Sequence, residues 1–469
     1  MPHSGIKKIK IVATLGPASS SKEMIRQLAE EGVNVFRINL SHSRLEEAVA
    51  LVKKIRAVER NFVRPIAILA DLVGPKIRIG TVAPNIVLQP EQKIKIVSKK
   101  VEGTAERISL NFPTVLRHLK PGAEIYLGDG LITLTVEKKI PEGVIATVLA
   151  GGNLLSRMGF SAHGLAVKKF SLTAKDKADI KGMAAAGVDA LAVSFVQSEK
   201  DIESVRALLP KNKKTMLIAK IETLAGVERA EAILDAADGL MVARGDLGFS
   251  IPMAELPFVQ KELIALALKK AKPVITATQM LESMIHNHLP TRAEVTDVAK
   301  AILDGTDAVM LSAETAIGKF PVQVIKTTVK IIKAAIHRIA IRDFPENSSV
   351  TDAICASTVK IADQIGARLV IVFTLTGDTA MRIARHRHQQ PIVALSPDPA
   401  TAHRLNFSWG ISPEYMVMKK NLNGIIAAAK KVAANNRVLK LSKGELFVIC
   451  TGIPFTRAGA ANLVLVQKV

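Results

Sequence analysis

Cysteine, tyrosine and tryptophan are scarce in this chain, and long apolar runs are missing. The 469 residues include two cysteines, two tyrosines and one tryptophan. The two cysteines, Cys355 and Cys450, are too few for a disulfide framework, so we expect both to be packing residues in a reducing cytoplasm. No uninterrupted apolar run reaches the ~18 residues of a membrane span, and the first ten residues contain no apolar stretch of a signal peptide. These absences predict a cytoplasmic protein without a membrane segment.

Acidic residues are also few relative to basic ones. Sixty-four lysines and arginines against 42 aspartates and glutamates give a net charge of +22, which favours anionic ligands. Nucleic acid is one such ligand, but the basic residues are spread along the chain and aromatic residues make up 4%. A surface for stacking bases is therefore not expected. The composition favours a phosphate-handling enzyme, and a steep salt dependence of binding to random duplex DNA would instead indicate a nucleic-acid-binding protein.

Apolar residues make up 48% of the sequence, and a chain of this length is expected to form two or three domains. Eight short apolar runs typical of strands buried on both faces alternate with helical patterns at intervals of about 30 residues. They are Ile9–Leu15, Val33–Leu40, Ile66–Leu72, Ala190–Val196, Met216–Glu222, Leu240–Asp246, Val274–Gln279 and Ala308–Ala313. This pattern predicts a (β/α)8 TIM barrel over residues 1–79 and 170–342.

One interval between predicted strands is far longer than a single crossover requires. Between Asp71 and Ala190, short alternating runs are separated by glycine and proline, which is the pattern of a small all-β domain. We predict this insertion, a small β-barrel, over residues 80–169, hinged at Gly80 and around Phe170. After the eighth strand, a polar linker containing Pro345 leads to a second α/β pattern. Residues 343–469 are predicted to form a doubly wound C-terminal domain.

Polar and charged side chains stand at the carboxyl ends of nearly all the predicted barrel strands, where barrel enzymes carry their active sites. They are Thr14, Arg37, Asn39, Ser41, Asp71, Ser194, Lys220, Glu222, Arg244, Asp246, Thr278, Gln279, Ser312 and Glu314. Structural ion pairs and loop starts are the alternative explanation, but they explain Lys220, Glu222 and Asp246 poorly, because buried charges are costly unless they bind something. Two carboxylates beside a lysine suit a divalent metal that carries a phosphate, so the pattern predicts an enzyme.

Eight segments carry a resemblance to one known family and cover nearly the whole chain. They read KIVATLGPAS, RINLSH, DLVGPKIRIG, AKIE, MVARGDLG, ITATQMLESM, PTRAEVTDVA and DGTDAVMLSAET. In this order and spacing they are similar to the motifs of the pyruvate kinase family. The resemblance implies phosphoryl transfer from phosphoenolpyruvate to ADP, giving pyruvate and ATP in glycolysis. It also implies Mg²⁺ or Mn²⁺ as cofactor, a homotetramer, and an inserted β domain that acts as a lid over the barrel mouth.

The same resemblance implies roles for individual residues. Glu222 and Asp246 would hold Mg²⁺, and Lys220 would neutralise charge on the phosphoryl group in transfer. Arg37 would grip the phosphate, and Arg78 would lie near the transferring group and the nucleotide.

Further roles implied by the resemblance concern the substrate carboxylate and the proton. Thr278 and Ser312 would help to deliver the proton that converts enolpyruvate to pyruvate, through water. The substrate carboxylate would bind to backbone N–H groups at the start of a helical turn. These N–H groups belong to Ala243, Arg244, Gly245 and Asp246.

The sequence departs from potassium-dependent members of the family at two positions. Those members carry a glutamate where this chain has Lys76 and a threonine where it has Leu72, although Asn39, Ser41 and Asp71 of the monovalent cation site are retained. A lysine ammonium can supply the positive charge that K⁺ otherwise provides, so we expect activity without added K⁺. The alternative is a surface lysine that the position merely tolerates.

In the C-terminal domain, a loop after a predicted strand opens a helix and resembles the loop that binds an effector phosphate in relatives. Its candidate residues are Thr374, Thr376, Gly377 and Thr379. Asp378 stands where a basic residue is frequent, and its charge opposes phosphate. We expect a sugar-phosphate effector, with an unregulated domain as the alternative. The nearby Arg385–His388 (RHRH) is expected to form an exposed helix face.

A carbon–carbon lyase of the phosphoenolpyruvate-related barrels is the nearest enzymatic alternative, because it uses similar metal–enolate chemistry. The inserted lid and the pair Thr278 and Ser312 argue against it. Formation of ATP from ADP would distinguish the two enzymes.

Overall fold

The structure is a computed structural model that describes residues 8–41, 43–128, 130–162, 172–210, 214–344, 349–417, 419, 421–435, 439–454 and 461–469. The first segment contains β1 (Lys10–Leu15), α1 (Lys22–Glu31), β2 (Val35–Asn39), α2 (Leu45–Glu59) and β3 (Ala67–Asp71). The insertion contains β4 (Ile86–Leu88), β5 (Lys93–Val97), β6 (Arg107–Ser109), β7 (Glu124–Leu127), β8 (Ile132–Ile140), β9 (Gly143–Ala150), β10 (Gly152–Leu154) and β11 (Phe160–Ala162).

The chain then returns to the first folded part and ends in a third. The returning segment contains α3 (Ala174–Ala186), β12 (Ala190–Val193), α4 (Glu199–Arg206), β13 (Met216–Ile221), α5 (Leu224–Glu228), α6 (Ala230–Ala236), β14 (Gly239–Ala243), α7 (Arg244–Leu247), α8 (Leu256–Lys269), β15 (Val274–Ala277), α9 (Arg292–Asp304), β16 (Ala308–Leu311), α10 (Ala313–Ala316) and α11 (Pro321–Ala335). The last part contains α12 (Val350–Gln364), β17 (Leu369–Phe373), α13 (Asp378–Ala384), β18 (Ile392–Ser396), α14 (Pro399–Leu405), β19 (Ile411–Tyr415), α15 (Leu422–Asn435), β20 (Leu446–Thr451) and β21 (Leu463–Lys468).

Eight parallel strands close into a barrel in the order β1-β16-β15-β14-β13-β12-β3-β2, which confirms the predicted TIM barrel. Apart from Asn39 and Lys220, every residue of these strands is buried. Burial on both faces explains the near-continuous apolar runs of the sequence. Both exceptions lie at or near the carboxyl ends of their strands, where the polar residues were predicted to gather.

The surrounding helices begin and end at residues suited to those positions. In α9, Thr291 Oγ1 accepts a hydrogen bond from the Glu294 backbone N–H, and the Glu294 carboxylate accepts one from the Thr291 N–H in return. Such a capping box satisfies backbone donors that the first helical turn leaves free. The helix ends at Asp304 and is capped by Gly305, whose φ of 98° favours glycine. The chain then reaches β16 at Ala308.

The insertion forms a mixed six-stranded sheet in the order β11-β7-β8-β9-β5-β6, beside a two-stranded pair of β10 and β4. The sheet has the half-barrel shape of the predicted all-β domain and its own apolar core. Alternating burial along β5 and β8 reproduces the alternating sequence pattern. The predicted hinge at Phe170 lies outside the described residues, and the boundaries at 80 and 169 remain predictions.

The C-terminal part is a five-stranded sheet in the order β19-β18-β17-β20-β21, in which only the β20–β21 pair is antiparallel. Its first strand, β17, lies at the centre and the chain winds outward in both directions, as predicted for a doubly wound domain. Cys355 and Cys450 are buried, which confirms the packing role expected for them. Nowhere in the described part of the chain is a helix long and apolar enough to cross a membrane.

The prediction of an exposed helix face at Arg385–His388 is wrong. Helix α13 ends at Ala384, and all four residues are buried where the C-terminal part packs on the barrel. Arg387 Nη2 lies 2.9 Å from Asp307 Oδ2, and the Arg387 guanidinium lies 5.2 Å from the centre of the buried Trp409 ring. The prediction failed because the four residues are polar and therefore read as exposed, whereas contact between the C-terminal part and the barrel buries them.

Candidate active site

Lys220 is the centre of a charged cluster at the carboxyl ends of β3, β12 and β13. Its Nζ lies 3.2 Å from Asp71 Oδ1 and 3.0 Å from Glu222 Oε1, and it donates a hydrogen bond of 2.7 Å to Ser194 Oγ. Burial opposes the charge of the ammonium, but the carboxylates of Asp71 and Glu222 raise the pKa of Lys220 above its ordinary value. The lysine is therefore held in its cationic form inside the rim.

Arg37, on the neighbouring strand β2, completes the cluster on the other side of Asp71. Its Nη2 and Nε atoms lie 2.7 and 2.8 Å from Asp71 Oδ2, and its Nη1 donates to Thr14 Oγ1 at 3.0 Å. Burial alone would raise the pKa of Asp71, but Lys220 and Arg37 hold it below its ordinary value. Asp71 therefore stays ionised and fixes two cations side by side, as an anionic phosphoryl group would require.

Glu222 and Asp246 form the acidic side of the cluster. Glu222 is 2% exposed, and its Oε2 accepts a 2.6 Å hydrogen bond from the Phe195 backbone N–H. Its Oε1 lies 3.0 Å from Lys220 Nζ in an ion pair. Burial raises the pKa of Glu222 to about 7, and the charge of Asp246 adds to this while Lys220 opposes it. Two neighbouring carboxylates that repel one another fit a hard divalent cation.

The predicted site includes two residues in a strained turn after β15. Thr278 and Gln279 have φ values of 67° and 52°, a region that residues other than glycine rarely adopt. Thr278 Oγ1 accepts a 2.7 Å hydrogen bond from the Gly245 N–H, which joins this turn to α7. Such strain persists only where surrounding contacts impose it, and it is frequent at functional sites.

The Arg244 side chain supplies those contacts. Its guanidinium is buried, donates to the Thr278 carbonyl at 2.6 Å and pairs with Asp297 at 2.7 Å. Of the Arg244 groups, the backbone N–H rather than the guanidinium is left for a substrate anion. The strand predicted to reach Asp246 ends at Ala243, and Arg244 to Leu247 form the short helix α7.

Ser312 follows β16 and carries a buried hydroxyl that has no hydrogen-bond partner among the described residues. Its backbone N–H donates to Glu314 Oε2 at 2.6 Å, and Glu314 Oε1 accepts from the Leu281 N–H at 3.2 Å. Burial raises the pKa of Glu314. Glu314 thus ties the turns after β15 and β16 together, and the Ser312 hydroxyl can bond to a water or a substrate.

The residues predicted for a monovalent cation lie partly together. Asn39 and Asp71 are register partners on β2 and β3, and the buried Leu72 follows directly. Asn39 Oδ1 accepts a 3.1 Å hydrogen bond from the Ser41 N–H. The Lys76 ammonium lies 3.0 Å from Asp246 Oδ1, so this lysine pairs with the acidic side of the cluster.

Arg78 lies just before the predicted start of the insertion at residue 80 and contacts the insertion. Its Nη1 donates a 3.0 Å hydrogen bond to the Arg157 carbonyl, and its backbone N–H donates to Asn111 Oδ1 at 2.8 Å. Both partners belong to the insertion, so the orientation of Arg78 depends on the position of that domain.

The predicted effector loop lies in the C-terminal part, remote in sequence from this cluster. Thr374 Oγ1 accepts a 2.9 Å hydrogen bond from the Gly377 N–H, and Thr376 Oγ1 accepts a weak one of 3.5 Å from the Asp378 N–H. Thr374 and Thr379 are buried. The structure therefore brings the four candidate residues into one turn, whose hydroxyls accept hydrogen bonds from the loop itself.

Two contributors to the site carry no signal in the sequence. Phe195, with a φ of 57°, supplies the N–H that holds Glu222, and Asp297 anchors Arg244. Contacts with backbone donors and with residues of distant helices can be identified only in the folded barrel, because the sequence alone does not show which segments meet.

Comparison with known proteins identifies the family. The model of the pyruvate kinase barrel domain matches residues 6–325, and that of the pyruvate kinase alpha/beta domain matches residues 352–467. A pyruvate kinase of Methylorubrum extorquens is 39% identical over 99% of this chain and 98% of its own length. One from Geobacillus stearothermophilus is 39% identical over 99% of this chain and 80% of its own length, and one from Thermotoga maritima is 38% identical over 99% and 100%.

These matches cover the barrel with its insertion and the C-terminal part together, at identities well above those that indicate a shared fold alone. The chain belongs to the pyruvate kinase family.

Proposed function

We propose that this chain carries out the reaction of its family at the barrel rim, with Lys220, Glu222 and Asp246 at the centre of the site. Family membership makes it an enzyme that transfers the phosphoryl group of phosphoenolpyruvate to ADP, giving pyruvate and ATP in glycolysis. The observation that supports this site most directly is the cationic Lys220 held at 3.0 Å from Glu222 and 3.2 Å from Asp71. A lactate-dehydrogenase-coupled assay of ADP-dependent pyruvate formation tests the proposal, and no turnover with Mg²⁺ or Mn²⁺ present would contradict it.

Members of this family generally need a divalent metal. We propose Mg²⁺ or Mn²⁺ as that metal, with Glu222 and Asp246 as its protein ligands. When bound, the ion supplies positive charge to the carboxylate and the enol oxygen of the substrate. The burial of Glu222 and the repulsion between the two carboxylates support this ligand pair.

The cations of the cluster act on the phosphoryl group. Lys220 neutralises the charge that develops on the group in transfer, and Arg37 holds a phosphate oxygen. Both are preoriented by Asp71, so little reorganisation is needed as the charge moves. Arg78, which bonds to the lid, lies near the nucleotide once ADP is bound.

The remaining site residues bind the substrate carboxylate and deliver a proton. Backbone N–H groups of Ala243, Arg244, Gly245 and Asp246, at the start of α7, would bind the substrate carboxylate as helix N-termini bind anions, and the Gly245 N–H would exchange Thr278 Oγ1 for the substrate. Thr278 and Ser312 hold the water that protonates the enolate. The buried Ser312 hydroxyl, which has no partner in the described chain, supports this role.

We expect activity that does not require K⁺. The Lys76 ammonium, 3.0 Å from Asp246, adds a fixed positive charge at the site, so added K⁺ has little to contribute. Turnover measured in tetramethylammonium salts should rise less than about twofold on adding K⁺, whereas an ion needed for catalysis is worth about tenfold or more.

The variant Lys76→Glu sharpens this test. It places a carboxylate where the ammonium stood, so its activity should be low without K⁺ and recover when K⁺ is added. Lys99→Glu, at an exposed position of the lid, makes the same charge change away from the site and should leave the K⁺ response unchanged. A large K⁺ activation of the unmodified protein would disprove the proposal.

A sugar phosphate is proposed as effector at the loop of Thr374, Thr376, Gly377 and Thr379. The charge of Asp378, which opposes phosphate, is partly offset because Arg382 Nε lies 2.8 Å from its Oδ2. A sugar phosphate that binds there should shift the phosphoenolpyruvate saturation curve to lower concentrations. Titration with a panel of sugar monophosphates and bisphosphates measures the shift. A saturation curve that none of them moves would contradict a sugar-phosphate effector.

Assembly and location are carried over from the family. We propose a homotetramer that works in the cytoplasm, where glycolysis takes place, and the buried thiols of Cys355 and Cys450 suit a reducing compartment. Sedimentation equilibrium of the full chain gives the number of subunits, and a monomer at micromolar concentration would contradict the tetramer.

A further inference from the structure

Within the part of the chain that the structure describes, an aromatic pair joins the lid to the barrel. Tyr126, on β7 of the lid, and Phe249, in the turn after α7, have ring centroids 5.1 Å apart and ring planes at 45°. Offset and tilted geometries of this kind are the favoured ones for aromatic pairs. The contact joins the lid to the barrel directly after α7, the helix that carries Asp246.

A second part of the lid closes around the same ring. Gly130 follows β7 with a φ of 88°, and a Cβ atom added there would lie 3.1 Å from Phe249 Cε1. The lid backbone therefore packs close to the ring, at a distance that leaves little room for a side chain at position 130. Phe249 thus contacts the lid at both Tyr126 and Gly130.

The turn that carries Phe249 directly follows α7, the short helix that carries Asp246. The Phe249 N–H donates to the Asp246 carbonyl at 3.2 Å, and Ser250 Oγ accepts from the Leu224 N–H at 2.9 Å. Leu224 lies two residues after Glu222, so the ring stands on backbone that is bonded to both acidic segments of the site. These two hydrogen bonds therefore restrict the position of the Phe249 backbone relative to Asp246 and Glu222.

We infer that Phe249 is a positioning residue, whose ring docks the lid against the turn that follows the helix of Asp246. This inference rests on the proposed function, because docking matters when the phosphoryl group must reach ADP and not water. In the competing hydrolysis, a water oxygen bonds to phosphorus as the bond from phosphorus to the enol oxygen breaks. Inorganic phosphate leaves, and the enolate takes a proton to become pyruvate.

The expected effect follows from the strength of one aromatic pair. Loss of the contact should reduce the docked population of the lid by roughly two- to tenfold. Phe249→Ala should therefore raise the KM for ADP, and the ratio of phosphate released to ATP formed, by about that factor. Phe249→Tyr keeps a ring and should restore most of the loss. Leu149→Ala removes an exposed apolar side chain elsewhere on the lid and serves as the matched control.

A double-mutant cycle separates docking from a general loss of packing. Tyr126→Ala changes the lid side, away from the acidic turn, and decides the matter if Phe249→Ala does not fold. Each single variant should raise the phosphate-to-ATP ratio, and the double variant should raise it no further than the larger single effect. Folded variants with the ratio of the unmodified protein, or fully additive effects, would overturn the inference.

A readout without substrate distinguishes failure of this inference from failure of the proposed function. The chain has two tyrosines, so labelling with 3-fluorotyrosine gives two ¹⁹F resonances, and Tyr415→Phe assigns them. Phe249→Ala should shift the Tyr126 resonance and leave that of Tyr415 in place. An unmoved Tyr126 resonance would reject docking at Phe249 even if ATP formation is normal, whereas a shifted one in a protein that forms no ATP would reject the function alone.

Discussion

Replacing Lys220 with methionine is expected to lower kcat for ATP formation by roughly 10³- to 10⁵-fold, while the protein still folds. Methionine is similar in length but carries no charge, so the phosphoryl group in transfer loses the cation that neutralises it. The lysine is buried and held in its charged form by Asp71 and Glu222, which means that water cannot replace its charge easily. The coupled assay measures the loss, and circular dichroism checks the fold.

A second reaction tests whether the role of Lys220 is electrostatic. Exchange of tritium from the methyl group of pyruvate requires enolisation but no phosphoryl transfer, so Lys220→Met should keep part of it. Lys220→Arg retains a cation and should keep more ATP formation than the methionine variant. Lys261→Met, on the exposed face of α8, is the control for the substitution itself. Equal loss of both reactions in a folded Lys220→Met protein would contradict the electrostatic role.

The barrel is predictable from the sequence because its strands are buried on both faces. Each strand must then be an apolar run, and any polar residue near its end stands out, as Lys220 and Asn39 do. The carboxyl ends of parallel strands share one rim, so a position in the sequence already implies a place in space. This is why Asp71, Lys220 and Glu222 could be predicted to lie together before any distance was known.

What lies beyond the strand ends was less predictable, because it depends on contacts between distant segments. The sequence places Arg244 at the rim, but the role of its guanidinium, which holds the Thr278 turn and Asp297, follows only from the fold. The four residues Arg385–His388 have the pattern of an exposed helix, yet a second domain buries them. Lys76 was expected to replace a monovalent ion, and its pairing with Asp246 follows only from the fold. A charged residue in the sequence indicates that an interaction partner exists in the fold, but the sequence does not identify that partner.

Glu222→Gln is expected to weaken binding of Mn²⁺ to the substrate-free protein by roughly 10²-fold or more, a loss at least as large as those caused by removing outer-shell partners of a metal. The amide keeps the shape of the side chain and its hydrogen bond from Phe195 but cannot offer a charged oxygen. Electron paramagnetic resonance of free and bound Mn²⁺ measures the dissociation constant directly. Glu228→Gln, at an exposed position on α5, is the matched control and should bind Mn²⁺ as the unmodified protein does.

The affinity for Mn²⁺ should depend on pH in the direction that the titration of Glu222 sets. Burial raises the pKa of Glu222 to about 7, so below pH 7 a proton occupies the carboxylate and must leave before the metal binds. The dissociation constant of the unmodified protein should therefore rise about tenfold for each pH unit below 7 and level off above it. Glutamine cannot titrate, so Glu222→Gln should show a weak and nearly flat profile over the same range. A profile for Glu222→Gln as steep as that of the unmodified protein would mean that another group competes with the metal, and Glu222 would lose its assignment as a ligand.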